Sequence, residues 1–430
     1  FKPQEPKLIT QRYPKTGTNN PMVRLGIIDI KRKKTKWVQL EPYEYICRVK
    51  WHPDNTRLFV QTMSRDQREL DAFYVNRKSG KMLKKIFTEK DSAWVNINDD
   101  LYFLENGTFI WQSERDGFAH LYRFKDSGEL VNQITKGKWA LRSSGGPFWL
   151  RQSVQAINEK IGKIYFTAMK ESSVERHLYS VDLAGKNIKK ISKEKGVHSI
   201  GCSPNGEYYF DKFSDSSTPP MLSLHSISGE VVKIIDKPKL SLIIDMELQT
   251  PELFTIPTSD GFPMPAQILK PADFDETKEY PLIYHVYGGP SAPTVFDSWQ
   301  GSSLLYDNIL LRNGYLVVRF DHRSATAISK TLENRVHLMI SGPIEMEDIV
   351  DGIRWLKSKD FVDPKRVGIW GWSGGGSFTL NAMTNTPEFK AGISGAPVTD
   401  WHYYDTKWGE FAMKRPQDNP EGYEKTSFVK

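Results

Sequence analysis

The stretch that decides the fold runs over residues 367–384 and reads VGIWGWSGGGSFTLNAMT. It contains the pattern Gly-x-Ser-x-Gly centred on Ser373, between an apolar run, Val367–Trp370, and a segment of helical character, Ser377–Thr384. Glycines two residues before and after the serine let a strand and a helix approach closely, while the serine occupies a strained turn that exposes its hydroxyl. The pattern alone would occur by chance roughly 0.2 times in a chain of this length. The strand-to-helix context favours an exposed nucleophilic serine over a merely glycine-rich turn.

The surrounding half of the chain alternates strands and helices. Continuous apolar runs at Pro281–Val286 and Tyr315–Phe320 are typical of parallel strands that are covered on both faces. Between Glu345 and Lys357 apolar residues recur at helical spacing, behind acidic side chains that favour a helix N-terminus. The sequence therefore predicts an α/β-hydrolase domain over residues 246–430.

Residues 1–245 have a different texture, with short runs rich in Tyr, Phe, Ile and Val separated by Gly, Asn, Asp and Ser. A strand-like run followed by a small residue and a glycine recurs four times, at Gly80, Gly128, Gly185 and Gly229. The spacings of 48, 57 and 44 residues suit a four-stranded propeller blade in which one hairpin turns at each glycine with a positive φ. We therefore expect an all-β, partial β-propeller of about four to five blades before the hydrolase domain.

Composition narrows the function classes. A net charge of +7 over 430 residues is too dilute to predict nucleic-acid binding, and the basic run at residues 31–36 is expected to be a solvated hairpin loop. The sequence contains no run of eighteen apolar residues, so it predicts no membrane-spanning helix. The two cysteines, Cys47 and Cys202, form neither a disulfide framework nor a four-thiolate zinc site, and we expect them to be buried small hydrophobes. No metal-ligand spacing or nucleotide fingerprint occurs, so we expect neither a metal nor a cofactor.

Three motifs in the second half resemble the dipeptidyl peptidase IV branch of the prolyl oligopeptidase family. They are YGGP at residues 287–290, GWSGGG at residues 371–376 and APVTDWHYYD at residues 396–405. Residues 13–17 (YPKTG) and 113–118 (SERDGF) are similar to the propeller of that branch, so the resemblance runs nearly end to end. It implies a serine exopeptidase that acts on peptides with Pro or Ala at the second position and releases the N-terminal dipeptide.

The resemblance also implies roles for individual residues. Ser373 would be the nucleophile, and the N–H of Gly374 and the hydroxyl of Tyr287 would stabilise the oxyanion. A proline-sized pocket would be walled by Val398, Trp401, Tyr404 and Trp408. For Tyr287 the alternative is a core tyrosine with a satisfied hydroxyl, and for the four pocket residues it is ordinary aromatic packing.

Two departures from the family pattern stand out. Asp321-His322-Arg323 is followed by Ser324 where relatives usually have glycine, and the stretch Ala325–Ile340 looks unusual. Phe411 stands where relatives often have a substrate-contacting arginine. We expect the loop after residue 323 to differ locally, and the binding of longer substrates to differ as well.

The resemblance places the rest of the catalytic machinery outside this chain. In the hydrolase fold the triad follows the order Ser, Asp, His, and only 57 residues follow Ser373, with His402 as their sole histidine. His402 lies in the pocket motif and is not expected to be the base. We therefore expect a fragment that lacks the triad Asp and His and the glutamates that bind the substrate's amino terminus, and that is inactive alone. By analogy with relatives, the full-length protein would be periplasmic or secreted and would form a homodimer.

Two other functions remain open at this point. One is a propeller fused to a degenerate hydrolase that binds peptides without cleaving them. The other is an esterase of the same fold, which would share the serine turn but would not explain the propeller or the aromatic cluster. Trapping with a proline mimetic or with a lipid phosphonate would separate peptidase from esterase.

Overall fold

The computed structural model describes residues 9–143, 152–238 and 240–429. The first half begins with a two-stranded antiparallel hairpin of β1 (Gly26–Asp29) and β2 (Lys34–Trp37). The basic run is exposed and is divided between the turn of this hairpin and β2. Four antiparallel sheets of four strands each follow. Their strands are β3 (Tyr45–Trp51), β4 (Arg57–Met63), β5 (Glu69–Asn76), β6 (Met82–Lys90), β7 (Leu101–Phe103), β8 (Thr108–Ser113), β9 (His120–Lys125), β10 (Leu130–Gln133), β11 (Val154–Asn158), β12 (Lys163–Ala168), β13 (His177–Asp182), β14 (Lys189–Lys190), β15 (Val197–Cys202), β16 (Tyr208–Ser214), β17 (Met221–Ser226) and β18 (Val231–Asp236).

Each sheet has the up-and-down order of a propeller blade, and the predicted turn glycines lie at equivalent points. Gly80, Gly128, Gly185 and Gly229 all connect the third strand of a sheet to the fourth, with φ values of 69°, 88°, 78° and 94°. These values lie in the left-handed region that glycine adopts without a steric penalty. The predicted hairpin glycines are confirmed.

The same glycines also let neighbouring sheets approach each other. A Cβ atom at Gly128 would overlap the carbonyl oxygen of Ile86, which lies on the fourth strand of the preceding sheet. At Gly185 it would lie 2.8 Å from the carbonyl oxygen of Ile134, just after the fourth strand of the sheet before it. The recurring glycine therefore serves both the turn and the packing between blades.

The second half is built around one mixed sheet of six strands with helices on its faces. Its helices and strands are α1 (Ser241–Asp245), β19 (Glu252–Pro257), β20 (Pro263–Leu269), β21 (Tyr280–His285), α2 (Ser302–Arg312), β22 (Leu316–Phe320), α3 (Lys330–Glu333), α4 (Pro343–Lys357), β23 (Val362–Trp372), α5 (Gly374–Asn385), β24 (Ala391–Gly395), α6 (Thr406–Met413) and α7 (Pro420–Lys425). The strand order is β19-β20-β22-β21-β23-β24, in which the last four strands run parallel and β20 pairs antiparallel with its neighbours.

The predicted fold class, a partial β-propeller followed by an α/β-hydrolase domain, is confirmed. The hydrolase core packs apolar residues of β21, β22 and β23 against Met346, Ile349, Ile353 and Leu356, which recur along one face of α4. The predicted domain limit at residue 245 falls between β18 and β19.

Two further features concern the whole chain. Cys47 and Cys202 are free and half-buried rather than fully buried, because each lies on an edge strand of its sheet and is covered from one side. Burial raises the pKa of the Cys47 thiol to about 11. Within the described residues, no helix combines the length and the apolarity needed to cross a membrane.

Candidate active site

Ser373 occupies the turn between β23 and α5, at the carboxyl edge of the parallel strands. Its φ of 58° and ψ of −116° are unusual for a residue with a side chain, and such strain persists only where surrounding contacts fix it. The N–H of Ser373 donates to the carbonyl of Gly395 over 2.9 Å. The side chain is half-buried. The predicted strained serine turn is therefore present at the edge of the sheet.

The glycines around Ser373 are required by close backbone contacts. A Cβ atom at Gly375 would overlap the carbonyl oxygen of Val286, and one at Gly371 would lie 2.5 Å from the same oxygen. The first turn of α5 therefore lies directly against the end of β21. This approach brings Tyr287, the second residue after β21, close to Ser373 and Gly374.

Tyr287 lies at this junction, and its ring lies beside Gly374. A Cβ atom at Gly374 would be 3.9 Å from the Cε2 and Cζ atoms of Tyr287, which is ordinary van der Waals contact. Burial raises the pKa of Tyr287, and the nearby phenol of Tyr404 adds to the rise. The structure therefore brings Tyr287 close to Ser373 and Gly374, from which it is distant in the sequence, and Tyr404 lies near Tyr287.

The four predicted pocket residues also form one cluster. The rings of Trp401 and Trp408 stack with centroids 5.7 Å apart and 11° between their planes. Tyr404 packs edge-on against both, at 5.4 Å and 5.6 Å. Val398 belongs to the same cluster, and its N–H donates to the Oγ atom of Ser377 on α5 over 2.9 Å. This hydrogen bond to α5, the helix that follows Ser373, therefore fixes Val398 as one wall of the pocket.

Phe411 extends this cluster towards the propeller. Its ring packs edge-on against Trp408 at 4.9 Å and against Trp94 at 4.8 Å. Trp94 follows the fourth strand of the first blade and is buried. On its other face the ammonium of Lys330 lies 3.8 Å from the ring centroid. Phe411 therefore forms an aromatic contact between the two domains of this chain.

The loop after Arg323 is well packed despite its unusual sequence. Ser324 does not adopt a positive φ, and its hydroxyl pairs with Nδ1 of His322 over 2.9 Å. Arg323 forms ion pairs with Asp348 and Asp260, both at 2.7 Å. The stretch that follows contains Lys330 and reaches the propeller at Trp94.

The histidines near the serine are bonded elsewhere. His322 is buried, its Nε2 pairs with the carbonyl of Gly288 over 2.9 Å, and burial lowers its pKa to about 4. His402 pairs through Nδ1 with Asp400 over 2.7 Å. Over residues 9–143, 152–238 and 240–429, no side chain hydrogen-bonds to the hydroxyl of Ser373, and no three His, Cys, Asp or Glu side chains are placed to hold a metal ion.

Several positioning residues were not predicted from the sequence. Ser377 holds Val398 in place, and His322 packs against Gly288 below the candidate oxyanion donors. Arg65 and Glu410 join the first blade to α6 through a buried ion pair at 2.8 Å. The only sequence signal for these roles is position: Ser377 lies one helical turn after Ser373, and His322 is the second residue after a parallel strand.

Comparisons with known proteins identify the family to which the chain is similar. The model of the dipeptidyl peptidase IV N-terminal region matches residues 2–220, just over half of the chain, and the prolyl oligopeptidase family model matches residues 303–430. Dipeptidyl peptidase 8 of Mus musculus is 28% identical over 485 residues, which cover 96% of this chain and 54% of the mouse protein. The Homo sapiens protein of the same name is 28% identical over 484 residues, covering 96% and 53%.

A solved structure is similar to nearly the whole of this chain. The crystal structure of Porphyromonas gingivalis dipeptidyl peptidase 4 matches with a TM-score of 0.89 and 28% sequence identity, covering 97% of this chain and 58% of that one. The chain thus spans about half the length of the curated relatives it matches. With family models matching both halves and a similar structure covering both domains, the chain belongs to the dipeptidyl peptidase IV branch of the prolyl oligopeptidase family.

Proposed function

We propose that the protein is a serine exopeptidase that releases N-terminal dipeptides with Pro or Ala at the second position. The observation that carries this proposal is the arrangement around one turn. Ser373 has a strained backbone at the edge of the sheet, and the ring of Tyr287 lies beside Gly374. The aromatic cluster is linked to them through Tyr404, which lies near Tyr287, and through Val398, which is bonded to Ser377 on α5. The relatives named above are dipeptidyl peptidases, which supports the same reaction class.

In this reaction the Oγ atom of Ser373 forms a bond to the carbonyl carbon of the second residue. The proton of the Ser373 hydroxyl passes to a general base. Among the described residues, none is hydrogen-bonded to this hydroxyl as such a base. The negative charge that develops on the carbonyl oxygen is stabilised by the N–H of Gly374 and the hydroxyl of Tyr287. The C–N bond then breaks, the amine leaves with a proton, and water hydrolyses the acyl-enzyme to release the dipeptide.

The aromatic cluster is the candidate pocket for the second residue of the substrate. A pyrrolidine ring is apolar and flat enough to lie against aromatic faces, and Tyr404 and Trp408 are the half-buried rings of the cluster. Val398 closes the side nearest α5, and Trp401 is buried behind the other two rings. A methyl side chain would also fit but would leave part of the apolar surface uncovered, so we expect Pro to be preferred over Ala.

The test is hydrolysis of dipeptide arylamides by the protein expressed from its complete gene. Gly-Pro-arylamide should be cleaved, its N-acetylated form should not, and Ser373→Ala should remove the activity. Binding of Gly-Pro peptides without turnover would instead favour a peptide-binding protein. Cleavage of p-nitrophenyl butyrate without cleavage of the arylamide would favour an esterase.

Three parts of the proposal need separate measurements. The 430-residue chain assayed alone should not turn over Gly-Pro-arylamide, since no described side chain is bonded to Ser373 as a base. The whole protein should sediment as a homodimer. Limited proteolysis should cut near residue 245 and so separate the domain of residues 1–245 from that of residues 246–430.

A further inference from the structure

The segment Pro14–Gly17 lies directly against the loop that carries the aromatic cluster. The N–H of Thr16 donates to the carbonyl of Tyr404 over 3.0 Å, and its hydroxyl donates to the carbonyl of Trp401 over 2.9 Å. A further backbone bond of 3.0 Å runs from Thr406 to the same segment. Two of the four pocket residues are therefore held through their backbones by a segment nearly four hundred residues away in the sequence.

A buried carboxylate strengthens this contact. Glu410 lies on α6, two residues after Trp408, and its side chain is 1% exposed. It accepts the N–H of Gly17 over 2.7 Å and a two-pronged bond from Arg65, with Nε and one terminal nitrogen each 2.8 Å from its oxygens. Charge-assisted, two-pronged bonds of this kind fix orientation as well as distance. Arg65 also donates to the carbonyl of Thr18 over 2.6 Å.

The turn of the first blade that holds Arg65 has a second contact with α6. Gln67 is 1% exposed, and its Nε2 donates to the carbonyl of Lys407 over 2.6 Å. In return, the Nζ atom of Lys407 donates to the Oε1 atom of Gln67. This turn, residues 64–67, therefore holds α6 on both sides of Trp408.

We propose that the turn at residues 64–67 sets the shape of the aromatic pocket, with Arg65 acting through Glu410 as a positioning residue. Because Trp408 stacks on Trp401 at 5.7 Å, a small shift of α6 would change the gap that receives the substrate side chain. The propeller thereby takes part in selecting Pro over smaller residues. The expected effect of Arg65 on catalysis rests on the proposed function. The positioning of the aromatic pocket by Arg65 does not.

The kinetic test uses the protein from its complete gene with Gly-Pro- and Gly-Ala-arylamide. Arg65→Met should raise KM for the Pro substrate about tenfold, with kcat changed by less than roughly twofold, and should lower the preference for Pro over Ala. Arg65→Lys, which keeps the charge, should restore part of the affinity. The matched control is Arg354→Met, which removes an ion pair of 2.8 Å with Glu388 that lies within the hydrolase domain. An Arg65→Met protein with wild-type KM and preference would overturn the inference.

A spectroscopic test does not depend on activity. Stacked indoles couple in the near-ultraviolet circular dichroism, so the difference between each protein and its Trp408→Phe version reports the Trp401–Trp408 stack. This difference should shrink by about half or more in Arg65→Met and stay unchanged in Arg354→Met. An unchanged difference in Arg65→Met would overturn the inference.

Two outcomes need separate handling. If Arg65→Met does not fold, Gln67→Met is measured in the same way, because it removes the bonds from the same turn to Lys407 on α6; an unchanged difference spectrum there also overturns the inference. If the wild-type protein cleaves no arylamide, the proposed function fails, and the circular dichroism alone decides whether Arg65 positions the pocket.

Discussion

The imidazole of His285 lies flat against the indole of Trp370, with ring centroids 4.0 Å apart and 11° between the planes. The two residues are register partners on β21 and β23, and they precede Tyr287 by two positions and Ser373 by three. The Nε atom of Arg319 donates to Nδ1 of His285 over 3.0 Å, so the imidazole accepts at Nδ1 and is uncharged. The stack therefore joins the two strand ends that carry the candidate oxyanion donor and nucleophile.

This buried imidazole makes stability depend on pH. Burial, together with a smaller effect of the neighbouring Arg319 charge, lowers the pKa of His285 from 6.5 to about 3. As the pH falls below 6.5, the unfolded chain binds a proton that the folded chain does not, and stability falls by about 1.4 kcal/mol per pH unit until about pH 3. His285→Gln should show a shallower loss of unfolding free energy between pH 6 and pH 4, measured by urea unfolding.

The control for this prediction is Met383→Leu, at an exposed residue of α5 in the hydrolase domain, which changes no titratable group. It should keep the pH slope of the wild type. If the slopes of His285→Gln and the wild type coincide, His285 is not the buried neutral group that the structure indicates.

The close packing between blades predicts that replacing either of two turn glycines by alanine lowers the free energy of unfolding, but by different amounts. Gly162 has a φ of 64° but no described atom within 4 Å of an added Cβ, so Gly162→Ala should cost about 1 kcal/mol for its backbone alone. Gly128 has a φ of 88°, and its Cβ would also overlap the carbonyl of Ile86. Gly128→Ala should therefore cost about 2 to 3 kcal/mol more. Equal midpoints in urea would contradict the close approach of the blades.

A second pair of glycines tests the serine turn. In Gly368→Ala the new Cβ would meet its nearest described atom at 3.7 Å, and the change should alter the unfolding free energy by less than about 1 kcal/mol. In Gly375→Ala it would overlap the carbonyl of Val286, so α5 must move away from β21 at a cost of about 3 kcal/mol. Gly375→Ala should also lose reactivity at Ser373. Wild-type stability and activity in this variant would refute the required contact.

The features predicted correctly from the sequence are local ones. The hairpin glycines and the serine turn each need a particular backbone conformation within a few residues, so their residue types mark them directly. The helix at Pro343–Lys357 follows from apolar residues at helical spacing, and the strands at Tyr280–His285 and Leu316–Phe320 follow from continuous apolar runs.

The remaining features depend on partners that no local pattern specifies. Arg65 and Glu410 are 345 positions apart, and an isolated arginine in a turn looks like an ordinary solvated residue. The proximity of Tyr287 to Gly374 followed from family resemblance, because strand order in a parallel sheet is not encoded in either segment alone. The half-buried state of Cys47 was missed because the sequence does not reveal which strand lies at the edge of a sheet.

Tyr287 offers a direct test of transition-state stabilisation. If its hydroxyl is an oxyanion donor, Tyr287→Phe should lower kcat for Gly-Pro-arylamide by about 10²- to 10³-fold with little change in KM. Tyr403→Phe, at a tyrosine that is 63% exposed, is the control and should behave as the wild type. Unchanged kcat in Tyr287→Phe would assign Tyr287 to packing instead.

The most direct measurement of the central claim is covalent labelling of the protein from its complete gene with a fluorophosphonate, followed by mass spectrometry of its peptides. We expect a single adduct on the peptide that contains Ser373, blocked by prior incubation with a Gly-Pro boronic acid and absent from Ser373→Ala. An adduct on a different residue, or arylamide cleavage that persists in Ser373→Ala, would contradict the account.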